Sequence, residues 1–197
     1  MSDERHARKM PVRISLRRRP RPQRTFEERV AMRMPRTVGA LRRLIFRLPP
    51  GSHFRRAALA RAMQLAFASY ERGDFEMVPR VFYAQAATLE TARGRRGEVP
   101  LDLPSPVHGV EGVMRWLEIW HEPFSSVRYE LGQLYDGGDS ALLVMDQVAT
   151  GRTSGAEVRQ RSYSALRWER GQVVWQFVTL QLEDAMEAAG FDALPEP

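Results

Sequence analysis

The sequence predicts an α+β fold in which a curved antiparallel sheet packs on N-terminal helices. Apolar residues recur at helical spacing between residues 52 and 121, and after Pro123 they alternate with polar residues as in a half-buried strand. Short turns rich in Gly and Asp separate the alternating segments, which is typical of an antiparallel meander. Because one layer of helices must be enclosed, we expect the sheet to curve around it and to leave a pocket at its open end.

The composition limits the size and the chemistry of the protein. The chain has 197 residues, 43% of them hydrophobic, which suits one globular domain with an appendage. It has no cysteine, which excludes disulfides, thiolate catalysis and metal sites built on sulfur. The histidines lack the close spacing of a ligand pair, so we expect no metal site, and no motif indicates a cofactor. No apolar run approaches the roughly 18 residues of a membrane-spanning helix.

Positive charge is concentrated near the N-terminus. Residues 1–51 hold 15 of the 30 Lys and Arg residues but only 4 of the 24 Asp and Glu residues. Residues 1–24 are rich in Arg and Pro with few large apolar side chains, so we expect a disordered arm. This arm either has no role, or attracts an anionic partner such as nucleic acid or a membrane surface, or binds a specific partner. No apolar stretch follows its arginines as a secretory signal requires, so we expect a cytoplasmic protein.

Residues 25–51 are predicted to form a basic amphipathic helix and a linker. Thr25 and Glu28 fit a capping box, and apolar residues follow at helical spacing with arginines between them. Pro35 should kink or divide this helix. The helix either lies on a membrane or a partner, or packs on its own domain.

Residues 52–197 are predicted to form the main domain. Ser52 can cap a helix that runs to about Arg72, Gly73 supplies its left-handed stop, and Asp74 can cap a second helix.

The remaining elements follow from changes in period and from turn residues. We expect a short strand over 88–91, a loop over 92–106, a helix over 109–121, strands over 127–131, 141–149, 158–169 and 173–182, and a last helix over 183–189.

Five short segments carry a resemblance to a known family. They are ASYERGDF at 68–75, HGVEGV at 108–113, YDGGD at 135–139, WERGQV at 168–173 and EAAGF at 187–191. In their order and spacing the chain resembles the SnoaL-like branch of the nuclear transport factor 2-like superfamily, which includes polyketide cyclases and ketosteroid isomerase. The resemblance covers roughly residues 57–191. It implies a cone-shaped α+β domain with a pocket, often a homodimer through the outer face of the sheet, and no single reaction.

The catalytic positions of ketosteroid isomerase are not matched. The resemblance places Thr91 where that enzyme has its proton-shuttling carboxylate, Ala66 where it has a tyrosine, and Ser164 where it has a protonated acid. A tyrosine found in related proteins is replaced near Thr179, and no His/Asp-type pair of the cyclases is evident. These replacements argue against a steroid-isomerase mechanism, and the catalytic residues stay unknown.

Strand alternation predicts the lining of the pocket. If Ser164 faces inward, so do Ser162, Leu166 and Trp168, while Tyr163 and Arg167 face outward. On the last strand Trp175, Phe177, Thr179 and Gln181 are expected to share the inner face. We therefore expect an apolar pocket with hydroxyl and amide groups for a small hydrophobic molecule. The candidate ligand-binding residues are Thr91, Trp116, Ser164, Trp168 and Thr179, with Trp120 as an alternative to Trp116 in the wall.

Three residues could act as an acid or a base, and each of them could instead have a purely structural role. Alternation turns Glu90 away from the pocket, which favours a surface or dimer salt bridge. Asp146 lies in an apolar strand and is expected to pair with Arg161 or Arg167. His121 ends a helix, where the dipole would stabilise an imidazolium cap. His108 is expected to be exposed, and the arginines at 93, 95 and 96 meet either solvent or an anionic substrate.

Two functions stay open on this basis. The first is a SnoaL-like domain that holds a small hydrophobic molecule, either as a binder or with isomerase- or cyclase-type chemistry. The alternative is a noncatalytic dimeric interaction module that its basic arm tethers to nucleic acid or to an anionic surface.

Overall fold

The computed structural model describes residues 10–17, 19–92 and 102–195. Its helices and strands confirm the predicted α+β class, with most helices first and the sheet afterward. In chain order the elements are β1 (Val12–Ser15), α1 (Phe26–Arg33), α2 (Pro35–Phe46), α3 (His53–Glu71), α4 (Met77–Phe82), β2 (Tyr83–Thr91), β3 (Val107–His108), α5 (Gly109–His121), β4 (Phe124–Asp136), β5 (Ser140–Gly151), β6 (Glu157–Glu169), β7 (Gln172–Thr179) and α6 (Leu182–Ala189).

The strands of the described residues form one curved, seven-stranded sheet in the order β1-β4-β5-β6-β7-β2-β3. β4 to β7 are the predicted antiparallel meander. The expectation of a wholly antiparallel sheet is corrected by β2, which pairs with β7 in parallel. The whole meander separates these two strands in the chain, so no tight turn dictates an antiparallel direction.

The prediction of disorder over residues 1–24 is wrong for β1. Val12–Ser15 pairs with the edge strand β4, with Ile14 opposite Leu134, and the side chain of Ile14 is buried. A few apolar residues suffice here because the edge of an existing sheet supplies unpaired backbone groups and a ready core. Residues 1–9 and Arg18 lie outside the described residues.

Local signals set the bounds of the first two helices. The Thr25 hydroxyl accepts from the Glu28 amide, and the Glu28 carboxylate accepts from the Thr25 amide, which is the predicted capping box. α1 ends at Arg33 and α2 begins at Pro35. Proline fits the first position of a helix because that amide has no intrahelical partner.

The sequence predicted that Asp74 caps the second helix, but the structure shows that it does not. α4 begins at Met77, and the Asp74 carboxylate instead accepts from Arg24 at 2.7 Å and from Arg72 at 2.9 Å. Arg72 also donates to the buried carboxylate of Glu28 at 2.7 Å. These ion pairs attach the start of α1 to the end of α3.

Apolar residues cover both faces of the sheet. On the inner face, side chains such as Leu143 and Leu166 pack with α3, α4 and α5 in the main core. On the outer face, Leu142 and Ala165 pack under α6 and Phe191 in a second core. The chain therefore buries two layers, and the inner one contains a cavity beside the helices.

Candidate functional site

An inner cavity of about 80 Å³ lies between the helices and the inner face of the sheet. This volume is several times the ~10–15 Å³ that one water molecule needs. Side chains of the helices α3, α4 and α5 and of the strands β2, β4, β5, β6 and β7 make a lining that is mostly apolar. No described residue in this lining carries a formal charge at neutral pH.

Two tryptophans of α5 form one wall. Trp116 and Trp120 are four residues apart on one helix face, and their rings stack with centroids 5.1 Å apart and planes 21° apart. The Trp116 Nε1–H donates to Thr91 Oγ1 at 3.0 Å. Thr91 is buried but does not line the cavity, so its hydroxyl acts by orienting the Trp116 ring.

A strip of polar groups crosses the sheet wall. The Tyr83 hydroxyl donates to Gln176 Oε1, and Gln176 Nε2 donates to Ser164 Oγ at 3.1 Å. All three residues line the cavity, as does the buried amide of Gln147. The network fixes the Gln176 amide and leaves the Ser164 hydroxyl hydrogen to donate elsewhere.

Ser162 is the least satisfied polar group in this wall. Its side chain is 1% exposed and lines the cavity, and its Oγ has no hydrogen-bond partner among the described residues. Leaving a buried hydroxyl unpaired costs about 1–3 kcal/mol. Ser162 is therefore a point where a bound molecule can gain a hydrogen bond.

The structure brings together three of the five residues predicted to bind a ligand. Ser164 and Trp168 line the cavity from β6, and Trp116 lines it from α5. Ser162 and Leu166 share the inner face of β6 with them, as the alternation predicts. Thr91 stands behind Trp116, and Thr179 lies elsewhere.

The prediction for Thr179 and for the inner face of β7 is wrong. Ser164 pairs with Val178 and Tyr163 pairs with Thr179, so Thr179 shares the outer face with Tyr163. Trp175 and Phe177 pack in the outer core, while Val173, Gln176 and Val178 line the cavity. Alternation alone does not say which face of β7 is inner, and α6 makes an apolar outer face possible by covering it.

His121 is a buried neutral imidazole, which corrects the expected imidazolium cap. Its Nδ1–H donates to the Leu117 carbonyl at 2.7 Å, and its Nε2 accepts from the Tyr129 hydroxyl at 2.9 Å. Burial lowers the pKa of His121 to about 4, against a weaker raising effect of the Leu117 hydrogen bond. The helix dipole does not offset this desolvation. Tyr129 lines the cavity and is backed by His121.

The tyrosines of the lining are hydroxyl donors. Burial raises the pKa of Tyr70, Tyr83 and Tyr129 well above the usual value for a phenol. Ala66 lines the cavity at the position where the resemblance places a tyrosine. The arrangement offers neutral donors and acceptors rather than a charged acid or base.

The carboxylates considered from the sequence are engaged outside the cavity. Glu90 accepts from Trp175 Nε1 at 2.7 Å. Asp146 pairs with Arg161, which is one of its two predicted partners, through contacts of 2.6 and 2.7 Å. His108 is exposed and lies 3.2 Å from the Thr88 hydroxyl. The arginines at 93, 95 and 96 lie outside the described residues.

Sequence reasoning missed Tyr83, Tyr129, Gln147 and Gln176 as lining residues. A signal was available for the two glutamines, because each interrupts a strand of apolar residues, where an amide needs a partner. The described ranges contain no cluster of three or more side chains fit to bind a metal. Likewise, no helix in those ranges has the length and hydrophobicity to cross a membrane.

The fold recurs in solved structures of low sequence identity. No family model and no curated protein matches the chain in sequence. An NTF2-like protein of unknown function from Burkholderia pseudomallei aligns with a TM-score of 0.52 at 14% identity, over 66% of this chain and 95% of its own. A SnoaL-like polyketide cyclase candidate from Jannaschia sp. gives 0.51 at 14% identity, over 68% and 92%.

TerC, a third structure, was co-crystallised with polyporic acid. It aligns with a TM-score of 0.52 at 12% identity, over 66% of this chain and 95% of its own. At such identities the likeness concerns the fold. This chain therefore has the α+β cone fold of the NTF2-like and SnoaL-like proteins.

Proposed function

We propose that the domain binds a small, flat, mostly apolar molecule that presents one or two oxygen atoms to the sheet wall. The observation that carries this proposal is the buried hydroxyl of Ser162, which lines a mostly apolar cavity and has no hydrogen-bond partner among the described residues. A ligand oxygen would offset that desolvation penalty. Apolar burial would supply most of the remaining affinity.

Each part of the lining has a role in this proposal. Ser162 and Ser164 lie two residues apart on β6, which places their hydroxyls about 7 Å apart along the strand. Both can donate to ligand oxygens, since Ser164 receives its own hydrogen bond from Gln176. The stacked rings of Trp116 and Trp120 offer a flat aromatic wall, which favours a planar ring system.

Binding is the role that this lining supports best. Uncharged hydroxyls and amides can polarise a carbonyl, whereas proton abstraction needs a group with a matched pKa. For isomerase- or cyclase-type chemistry the described lining offers Tyr129, with His121 Nε2 as the acceptor of its proton. Other proteins of this fold support a ligand role, because TerC was crystallised with polyporic acid and another with trimethylamine.

The proposal is tested by a pair of probes that differ in one oxygen. We expect 2-naphthol to raise the melting temperature of the full chain more than naphthalene does. Ser162→Ala should weaken naphthol binding about tenfold and leave naphthalene binding unchanged. Ala66→Phe, which fills the cavity, should abolish binding of both.

Ser126→Ala is the matched control, because this serine is exposed on β4 and hydrogen-bonds only at the surface. It should leave both affinities unchanged. If neither probe stabilises the wild-type chain, or if Ala66→Phe binds them as well as the wild type does, the proposed function is wrong.

A second candidate function is attachment of the N-terminal helices to an anionic surface. Phe26, Leu41, Leu44 and Phe54 are exposed apolar side chains on α1, α2 and α3, and arginines lie between them. This pattern is typical of helices that insert side chains among anionic lipid headgroups. Leu41→Asp with Leu44→Asp should abolish flotation with phosphatidylserine vesicles, whereas Val158→Asp, at an exposed apolar position of β6, should not.

A homodimer through the outer face of the sheet is part of the same alternative. The open part of that face carries charged pairs such as Asp146–Arg161, which suit a polar interface. Light scattering should then give twice the chain mass, and Arg161→Glu should return it to one chain by placing two like charges together. A wild-type protein that scatters as a monomer at high concentration contradicts the dimer.

A further inference from the structure

Trp168 lies where three spaces meet. It lines the inner cavity, a second apolar space of about 130 Å³ beneath α2, and an open groove of about 700 Å³ at the surface. Its side chain is buried and its ring contacts Phe46 of α2, with centroids 5.1 Å apart. The inner cavity lies in the protein interior, the open groove lies at the surface, and Trp168 lies between them.

The space beneath α2, here called the α2 chamber, adjoins the inner cavity. Met63, Phe82 and Trp168 line both. Val38 and Ile45 of α2 complete the chamber opposite α3. Methionine side chains rotate easily, so we expect a movement of Met63 to bring the two apolar spaces into contact.

Arg42 is the cationic residue of the chamber, and its buried Nε has no hydrogen-bond partner among the described residues. It donates to the Val81 carbonyl and lies over the Phe82 ring at 5.9 Å. All other side chains that line the chamber are apolar, so a ligand segment held there is expected to be mostly apolar.

The open groove, here called the arginine groove, has an excess of positive charge. Phe46 and Trp168 join it to the α2 chamber. Arg43, Arg47 and Arg170 line it with exposed guanidinium groups, and none of them pairs with a carboxylate of the described part of the chain. Arg55, at its base, is paired with Asp136, and Asp139 is the acidic residue in the lining.

We propose that the ligand is an amphiphilic anion whose apolar body fills the inner cavity and the α2 chamber, and whose carboxylate or phosphate lies in the arginine groove. This inference rests on the proposed function and names the chemical class of its ligand. Guanidinium groups bind both anions through paired N–H donors. The gradient from apolar interior to cationic mouth orients such a molecule with its charge outward.

The experiment compares decanoate and decyl phosphate with decanol, using the full chain at low salt and titration calorimetry. The two anions share their apolar chain with the alcohol, so the difference in affinity isolates the charge. We expect either or both anions to bind about tenfold more tightly than decanol, and this advantage to fall as salt is added. The Arg43→Gln, Arg47→Gln, Arg170→Gln triple variant should remove it while decanol affinity stays unchanged.

A control triple variant, Arg115→Gln, Arg128→Gln, Arg159→Gln, makes the same change in net charge on α5, β4 and β6. It should retain the preference for the anion. Ala66→Phe should weaken binding of anions and alcohol alike, because the body of the molecule loses its space.

Failure of this inference can be separated from failure of the proposed function. If anions and decanol bind equally, and all are lost in Ala66→Phe, the cavity binds a ligand but the amphiphilic anion is wrong. If the anions bind through the three arginines and Ala66→Phe has no effect, the groove binds anions by itself, which also overturns the inference. If decanoate, decyl phosphate and decanol all fail to bind, and 2-naphthol also fails to bind, both proposals are wrong.

Discussion

Arg55 and Asp136 form a bidentate salt bridge in the interior of the protein, at 2.7 and 2.8 Å. Their side chains are 2% and 1% exposed. Arg55 also donates to the carbonyl of Phe46, the last residue of α2, and to the carbonyl of Leu48, which follows the helix. The pair therefore connects α3, the turn after β4 and the segment that covers the α2 chamber.

We expect Arg55→Ala to lower the free energy of unfolding by about 3–5 kcal/mol, because it leaves Asp136 as an unpaired buried charge. Urea unfolding monitored by circular dichroism measures this loss. Arg161→Ala, at the exposed pair with Asp146, is the matched control and should lose no more than about 1 kcal/mol. Equal losses in the two variants would contradict the structural role of Arg55.

Stability should rise with pH as the His121 imidazole loses its proton. Its folded pKa of about 4 lies below the ordinary value of 6.5, so the unfolded chain binds more protons between these values. The free energy of unfolding should therefore fall by about 2 kcal/mol from this group between pH 7 and pH 5. His121→Gln should lose that part of the pH dependence, while His108→Gln, at an exposed position, should keep it. An unchanged slope in His121→Gln would show that the imidazole titrates normally.

The two serines of β6 should respond in opposite directions to the same substitution. Ser162→Ala removes a buried hydroxyl without a partner among the described residues, so we expect the ligand-free protein to gain up to about 1 kcal/mol. Ser164→Ala removes the acceptor of the Gln176 amide and should lose about 1 kcal/mol. Chemical denaturation of both variants checks the contrast, and a loss in Ser162→Ala as large as that in Ser164→Ala would refute it.

Thr91 should position Trp116 through its hydroxyl. Thr91→Val keeps the shape of the side chain but leaves the Trp116 Nε1–H buried without its acceptor, which should lower stability by about 1–3 kcal/mol. It should also change the tryptophan fluorescence and weaken naphthol binding. Thr91→Ser retains the acceptor and should behave like the wild type. If Thr91→Val leaves fluorescence and affinity unchanged, Thr91 is only a packing residue.

Features that depend on neighbours in the chain were predictable. The bounds of α5, the division of the helix at Pro35 and the alternation along β6 all match the structure. Each depends on periodicity or backbone chemistry within one segment, where hydrogen bonding and steric restriction act over a few residues. The predicted positions of Trp116, Ser164 and Trp168 in the cavity follow from these local patterns.

Features that depend on what covers a segment were decided by the tertiary structure. α6 packs on the outer face of β7, which reverses the expected orientation of Thr179 and places Gln176 in the cavity. Packing around His121 removes the charge that a helix end alone would favour. Arg55 and Asp136 are 81 residues apart, and only the folded chain brings their charges together. Burial and pairing are properties of distant contacts, so alternation and spacing identify the candidates while the assembled layers determine which of them meet.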